Sequence, residues 1–224
     1  DGRWFPRVTD LVLSRQPPVM FIRYVGRRAG FKRSILVYFE RSLDNYQEMP
    51  IEADLAFKTL DKSNIRLILE QGTIPDIFFV SPGYKTIKNK YKSIRKVRMD
   101  EITSRVDRGD VGFLALEKGE VVGWIWACLQ EEKYEPAIEM NIKFGPSTSM
   151  IYGLYVVADR RKKGYGSSLI KYSLNYLAQQ NYVRATAVVE HDNLPSQRSF
   201  MKVGFVPIKQ MKRVRVPGYN RLSE

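Results

Sequence analysis

Apolar and polar positions divide this chain unevenly. Residues 1–34 show no sustained period and carry the Pro17-Pro18 break. Beyond them, short apolar runs alternate with turn residues. The runs 35-ILVYFE-40 and 65-IRLILE-70 predict strands, and 71-QGTIPD-76 a turn. Between them, 51-IEADLAFKTL-60 predicts a helical segment in a mixed stretch. Over 84–98, Tyr84, Ile87, Tyr91 and Ile94 recur at spacings of three and four, which predicts an amphipathic helix running towards Val106. The clearest hairpin joins 111-VGFLALE-117 to 121-VVGWIWACL-129 around 118-KGE-120. Residues 131–149 read as a loop holding a short strand at 138–144. Then come a strand over 150-MIYGLYVV-157, a helix over 165–180 with Ile170, Leu174 and Leu177 as its buried stripe, and a strand over 183-VRATAVVE-190. A short helix over 195–202 starts on Pro195, which suits a first helical turn. A turn at Gly204 precedes a strand from Phe205, and 211-MKRVRV-216 is the last alternating strand. The order β-β-β-α-β-α-β-β in the C-terminal two thirds predicts an α/β (α+β) domain: a mixed sheet with helices.

Composition narrows the setting. The chain has 224 residues, 44% hydrophobic and 12% aromatic, enough to bury a sizeable core. Cys128 and His191 are single residues of their kinds, so an intrachain disulfide is excluded and a zinc site is disfavoured; no metal is expected. With no apolar run near the ~20 residues of a membrane span, these counts suit a reducing, cytoplasmic compartment. Net charge is +13, from 37 basic and 24 acidic residues, which favours polyanionic partners. Two stretches concentrate it. Residues 1–34 hold eight cations against Asp1 and Asp10, and Lys85–Arg98 holds seven cations and no acid.

The most informative stretch is 160-RRKKGYGSS-168, between a strand and a helix. Successive backbone N–H groups of such a turn converge on one spot, and the helix dipole adds positive potential there. Glycines let an anion approach closely. The spacing excludes the G-x-x-x-x-G-K-[ST] loop and G-x-G-x-x-G. A solvated basic loop remains the alternative reading of this stretch alone.

Arg161, Gly164 and Gly166 fit [RQ]-x-x-G-x-[GA] after a strand, which resembles motif A of the GNAT superfamily of N-acetyltransferases. Downstream, 189-VEHDNLPSQRSFMKVGF-205 resembles the family's motif B through Asn193, Ser196, Lys202, Gly204 and Phe205. The hairpin 111–129 is similar to the family's second and third strands. The resemblance covers roughly residues 61–216. It implies a mostly antiparallel sheet with helices on both faces, whose fourth and fifth strands splay apart. Residues 1–60 then form a basic N-terminal extension, with three roles open: extending the sheet, covering the acceptor site or mediating a homodimer. Residues 61–224 form the acyl-CoA-binding domain.

The resemblance also implies acetyl-CoA or another acyl-CoA as co-substrate. Its pantetheine would lie in the splay, pairing with the backbone of Tyr155 and Val157 around Val156. The turn from Arg161 through Lys162, Lys163, Gly164, Tyr165 and Gly166 to Ser167 would hold the pyrophosphate, with Asn193 and Ser196 on the cofactor arm. Such enzymes let an amine attack the thioester directly. A tyrosine usually protonates the leaving thiolate, but Phe200 stands at that place. Tyr152 or Tyr155 is the nearest hydroxyl that could replace it. A glutamate often serves as base early in the fourth strand, where Met150 stands here. Glu190 and His191, at the end of the fifth, are the alternatives, together with an ordered water.

Three function classes follow. The first is an acyl-CoA-dependent N-acyltransferase acting on a primary amine of a small molecule or protein. The second is a GNAT-like protein that binds acyl-CoA or an anionic surface without turnover, with Lys85–Arg98 as the surface contact. The third is a nucleic-acid-binding protein using its net charge.

Overall fold

The computed structural model describes residues 32–51, 54–63, 102–216 and 219–223. Among the described residues ten strands form: β1 (Lys32–Ser42), β2 (Ala56–Leu60), β3 (Val111–Glu117), β4 (Glu120–Cys128), β5 (Glu132–Glu135), β6 (Met140–Lys143), β7 (Thr148–Val156), β8 (Arg184–Glu190), β9 (Val206–Val216) and β10 (Tyr219–Ser223). The helices are α1 (Tyr165–Gln179) and α2 (Leu194–Lys202), with a further helical stretch over residues 102–107.

Local chemistry explains several boundaries. The β3–β4 hairpin closes on Lys118 and Gly119, both at positive φ (52° and 86°), the backbone whose twist matches paired strands. Helix α1 ends where Asn181 takes a left-handed conformation (φ 62°) and Tyr182 N–H donates to Leu177 C=O at 3.0 Å. Asn193 caps α2, its side chain accepting from Ser196 N–H at 3.3 Å.

The main sheet runs β10-β9-β1-β8-β7-β4-β3-β2. Every neighbouring pair in it is antiparallel except β7–β8, which is parallel. Strand alternation splits the core between two faces. Phe113, Ala115, Ile125, Ile151, Ala187 and Phe39 face α1 and its Leu169, Ile170, Leu174 and Leu177. Leu114, Leu116 and Trp126 face the helical stretch through Ile102 and Val106. Farther along that second face, Leu36, Tyr38, Cys128 and Met150 lie under Ile138 and Ile142 of the small β5–β6 hairpin. Helices therefore cover both faces, as the resemblance implied.

Part of the N-terminal extension lies inside the sheet. Strand β1 sits between β8 and β9, pairing with both. Leaving β1, the chain crosses α1. The buried Asn175 side chain accepts from Met49 N–H and donates to Met49 C=O, both at 3.1 Å, and Lys171 Nζ donates to Pro50 C=O at 2.9 Å. Of the roles left open for residues 1–60, those over 32–42 and 56–60 extend the sheet.

Three expectations are corrected. The helical segment over 51–60 is instead the edge strand β2 over its last five residues. Packing decides against local pattern there: the outer edge of β3 needs a partner, and Phe57 stacks on Tyr172 with ring centroids 4.5 Å apart. The loop over 131–149 holds two paired strands, β5 and β6. The two C-terminal strands are one, β9, followed by β10. The strand at 65–70, the turn at 71–76 and the basic helix at 84–98 lie outside the described residues, as do residues 1–31.

Phe39 tests whether β1 belongs to this cooperative unit. It is 1% exposed and stacks on Phe200 with centroids 6.4 Å apart. Phe39→Ala is expected to cost about 3–5 kcal/mol. Urea unfolding should show a lower midpoint, unchanged slope and a single transition. A separate early transition for β1 would contradict the fold.

Candidate active site

The parallel pairing of β7 and β8 is short. It runs from Thr148↔Arg184 to Ile151↔Ala187 and stops, although β7 continues to Val156 and β8 to Glu190. A bulge accompanies the parting. Trp126 faces Tyr152 and Trp124 faces Tyr155, so Gly153 and Leu154 oppose the single residue Ile125. Gly153 takes φ 63°, where a side chain would be strained.

Beyond the bulge, each backbone edge has a fixed direction. Val157 N–H donates to Val122 C=O at 3.0 Å, which sends its polar groups towards β4. A Cβ on Gly123 would lie 2.7 Å from Tyr155 O, so Tyr155 points its carbonyl the same way. Strand alternation then turns Val156, and before it Leu154, towards the gap. Arg161 Nε donates to Val156 C=O at 3.0 Å from that side. The expectation that Tyr155 and Val157 offer their backbone to the gap is thus shifted by one residue. The bulge changes the register, and no sequence signal marks which edge a residue presents.

The glycine turn follows directly. Ala158–Arg160 form one 3-10 turn, Lys162 takes φ 65°, and Gly164 takes φ 84° as the N-cap of α1. No side chain caps this helix, and its first turn holds no acid. The N–H groups of Tyr165, Gly166 and Ser167 precede the first intrahelical bond, in which Ser168 donates to Gly164 C=O at 3.0 Å. The four cations play different parts. Glu117, at the end of β3, pairs with Arg160 at 3.0 Å and Lys163 at 3.8 Å and accepts from the Tyr165 hydroxyl. Arg161 lies over the Tyr155 ring, 5.6 Å from its centroid, while that ring stacks on Trp124 at 4.3 Å. The side chains of Arg161 and Lys162 are exposed. A polyphosphate fits this donor set: uncapped amides, exposed cations and no carboxylate in the first helical turn.

The remaining expected residues separate into groups. Asn193 Oδ1 is engaged in capping α2, on Ser196 N–H. Phe200 is buried, edge-on to Phe205 at 5.1 Å, so it is a core residue. Glu190 and His191 are exposed, their backbone carbonyls held by Gln197 Nε2 at 3.1 and 2.9 Å. Tyr152 lies apart from them among charged groups on the second face. Its hydroxyl donates to Asp110 Oδ2 at 2.6 Å. Lys133 Nζ lies 4.3 Å and the Arg105 guanidinium 5.2 Å from the Tyr152 ring centroid. Burial pushes the Tyr152 hydroxyl far above its ordinary pKa, opposed by Arg105 and reinforced by Asp110. Burial also lowers Lys133 and raises the Cys128 thiol to about 11. Cys128 is thus a protonated, buried side chain. Sequence reasoning missed Asp110 and Glu117; each is an ordinary acid at a strand end, and only long-range packing brings it to the site. Among the described residues no cluster of acids, histidine and cysteine suits a metal ion, and no helix is long and apolar enough to cross a membrane.

The sequence profile of the acetyltransferase (GNAT) family matches residues 81–205, more than half of the 224. Solved structures share the fold at low identity. A functionally unknown conserved protein from Staphylococcus epidermidis superposes with a TM-score of 0.56 at 12% identity, over 91% of this chain and 69% of its own. An acetyltransferase from the GNAT family from Colwellia psychrerythraea gives 0.53 at 10% identity, over 88% and 62%. A tandem GNAT protein from the clavulanic acid biosynthesis pathway gives 0.53 at 16% identity, over 90% and 57%. The chain thus spans less than two thirds of the length of the last two. No curated protein matches it.

Glu117 offers a pH test of the turn's anchoring. The Tyr165 hydrogen bond, then Arg160 and Lys163, hold its carboxyl below the usual carboxylate range. A lowered folded-state pKa contributes stability above the unfolded value and loses it as pH falls through the folded one. The melting temperature of the native chain should therefore exceed that of Glu117→Gln at pH 7, and the two should converge in acid. Parallel curves from pH 7 to 3 would contradict the anchoring.

Proposed function

Because the chain belongs to the GNAT acetyltransferase family, we propose that it transfers an acyl group, acetyl in the first instance, from coenzyme A to a primary amine of a small molecule or protein. The observation that carries this reading is the early parting of β7 and β8 beside an uncapped, cation-flanked helix N-terminus. A gap between strands suits an extended pantetheine, whose amides need backbone partners. The helix end suits the pyrophosphate that follows it.

Each residue then has a task. Val156 and Leu154 face the pantetheine amides. The N–H groups of Tyr165, Gly166 and Ser167 hold the pyrophosphate above Gly164, with Arg161, Lys162 and Lys163 around it. Asn193 Nδ2 and the Ser196 hydroxyl reach the cofactor arm from α2. The thioester supplies the activated acyl group. The amine must lose a proton before it attacks, and the departing thiolate must gain one. Phe200 has no hydroxyl, so solvent supplies the second proton. Glu190 and His191 are exposed candidates for taking the first, and Tyr152 is the candidate at the inner end of the gap.

Phe200 also favours a second reading, an acyl-CoA-binding protein without turnover. An amine panel assayed with acetyl-CoA separates the two.

Titration calorimetry of acetyl-CoA into the native chain and an Arg161→Glu, Gly164→Asp double variant tests the binding site. Gly164 takes φ 84°, where any side chain is strained, so the melting temperature and circular dichroism of the variant are compared with native to show that the helix persists. The introduced carboxylate would occupy the phosphate position. Micromolar binding by the native chain and a loss of more than about tenfold, roughly 1.4 kcal/mol, in the variant is the expected result. Equal affinities would remove the cofactor from the turn, and steeply salt-dependent nucleic-acid binding without coenzyme A binding would favour the charge-based reading.

A further inference from the structure

Asp110 poses a question that the fold does not answer. It stands between Gly109, whose φ of 91° turns the chain after the helical stretch, and the first residue of β3, and it is 3% exposed. A buried carboxylate is costly unless hydrogen-bonded or paired. Its ion-pair partner is Arg108, at 3.6 Å, whose side chain is 59% exposed. The shorter contact is the 2.6 Å hydrogen bond from Tyr152. Tyr152 is the first β7 residue beyond the last parallel pair, Ile151↔Ala187, so it stands where the gap opens.

A phenol has one proton and two lone pairs. Here the proton is committed to Asp110. Tyr152 therefore offers a donor such as an ammonium group only acceptor capacity, and its proton cannot serve the leaving thiolate at the same time. Three cations lie around the pair: Arg105 from the helical stretch, Arg108 from the turn after it and Lys133 from β5. Cys128, from β4, faces the same carboxylate with its thiol kept protonated by burial, and Glu135 acts on Lys133 from the far end of β5.

Resting on the acyltransferase reading above, we infer that Tyr152 and Asp110 form the proton relay that deprotonates the acceptor amine. The ammonium N–H bond breaks and its proton passes to Tyr152 Oη, while the Tyr152 proton passes to Asp110 Oδ2. The freed nitrogen lone pair forms a bond to the thioester carbonyl carbon. The C–S bond breaks, its electron pair leaves with the thiolate sulfur, and solvent protonates that sulfur. The second proton of the attacking nitrogen is lost to solvent, giving the neutral amide. Asp110 returns its proton to water on the side where Arg108 is exposed. Tyr152 meets the amine; Asp110 is a positioning residue and proton sink that acts through it.

Two variants on different strands test the relay. Asp110→Asn still offers an oxygen to Tyr152 but has lost its basicity. Tyr152→Phe keeps the ring that lies against Lys133 and Arg105. We would measure kcat/KM against pH with an amine that the native chain acetylates, and acetyl-CoA affinity by calorimetry. Each variant should lower kcat/KM by about a hundredfold or more, the size of a general-base contribution. The double variant should lose little beyond the worse single one, because the two groups act as a unit. The limb of the native profile that rises with pH should be displaced or lost in Asp110→Asn. Acetyl-CoA affinity should stay within about twofold of native in both. A native-like rate and pH profile in Asp110→Asn overturns the relay and leaves the acyltransferase reading intact. So does a loss confined to acetyl-CoA affinity, which would make the pair structural. Acetyl-CoA binding without turnover by the native chain on any amine overturns both.

Discussion

The pairing of β7 with β8 governs the rest of this structure. Four register positions hold the strands together, from Thr148↔Arg184 to Ile151↔Ala187, and then they part. Parting leaves backbone donors and acceptors that a folded interior cannot leave unsatisfied. The molecule tolerates this because both strands are tied down on their other edges. Strand β7 is held by β4 on both sides of the Gly153 bulge. Strand β8 is held by β1 from Leu36↔Glu190 to Ser42↔Arg184. The gap is thus a built feature, kept open by its flanks.

Charge is arranged around that gap in two ways. At the outer end, the uncapped start of α1 and the cations of the glycine turn provide positive potential, and Glu117 fixes two of those cations in place. At the inner end, the buried Asp110 carboxylate lies among Arg105, Arg108 and Lys133 and accepts the Tyr152 hydrogen bond. The outer end suits holding an anion, and the inner end suits moving a proton. The bulge lies between them, and it redirects Tyr155 towards Trp124 and Val156 towards the gap.

What could be read from the sequence was local or short in range. The β3–β4 hairpin shows through its Lys118-Gly119 turn, α1 through its apolar stripe, and the turn before α1 through Gly164 and Gly166. Each of these depends on residues close in sequence. The insertion of β1 between β8 and β9 did not show, because pairing across such separations leaves no periodic trace. The sequence pattern over 51–60 favours a helix because five residues of alternation are a weak local signal, and the pairing with β3 that makes β2 a strand is long-range. The backbone direction of Tyr155 and Val157 was off by one residue because a bulge changes parity without a composition signal. Asp110 went unnoticed because its burial, rather than its identity, makes it unusual.

Hydrogen exchange followed strand by strand, with and without acetyl-CoA, tests the central claim most directly. In the free chain the amides of Ala185 and Ala187, within the paired or core part of β8, should exchange slowly, and those of Leu154 and Val156 faster. Added acetyl-CoA should slow Leu154, Val156 and the first amides of α1, and leave Ala185 and Ala187 unchanged. Protection that appears elsewhere on the basic surface, with Leu154 and Val156 unaltered, would show that the gap between β7 and β8 is not where the cofactor binds.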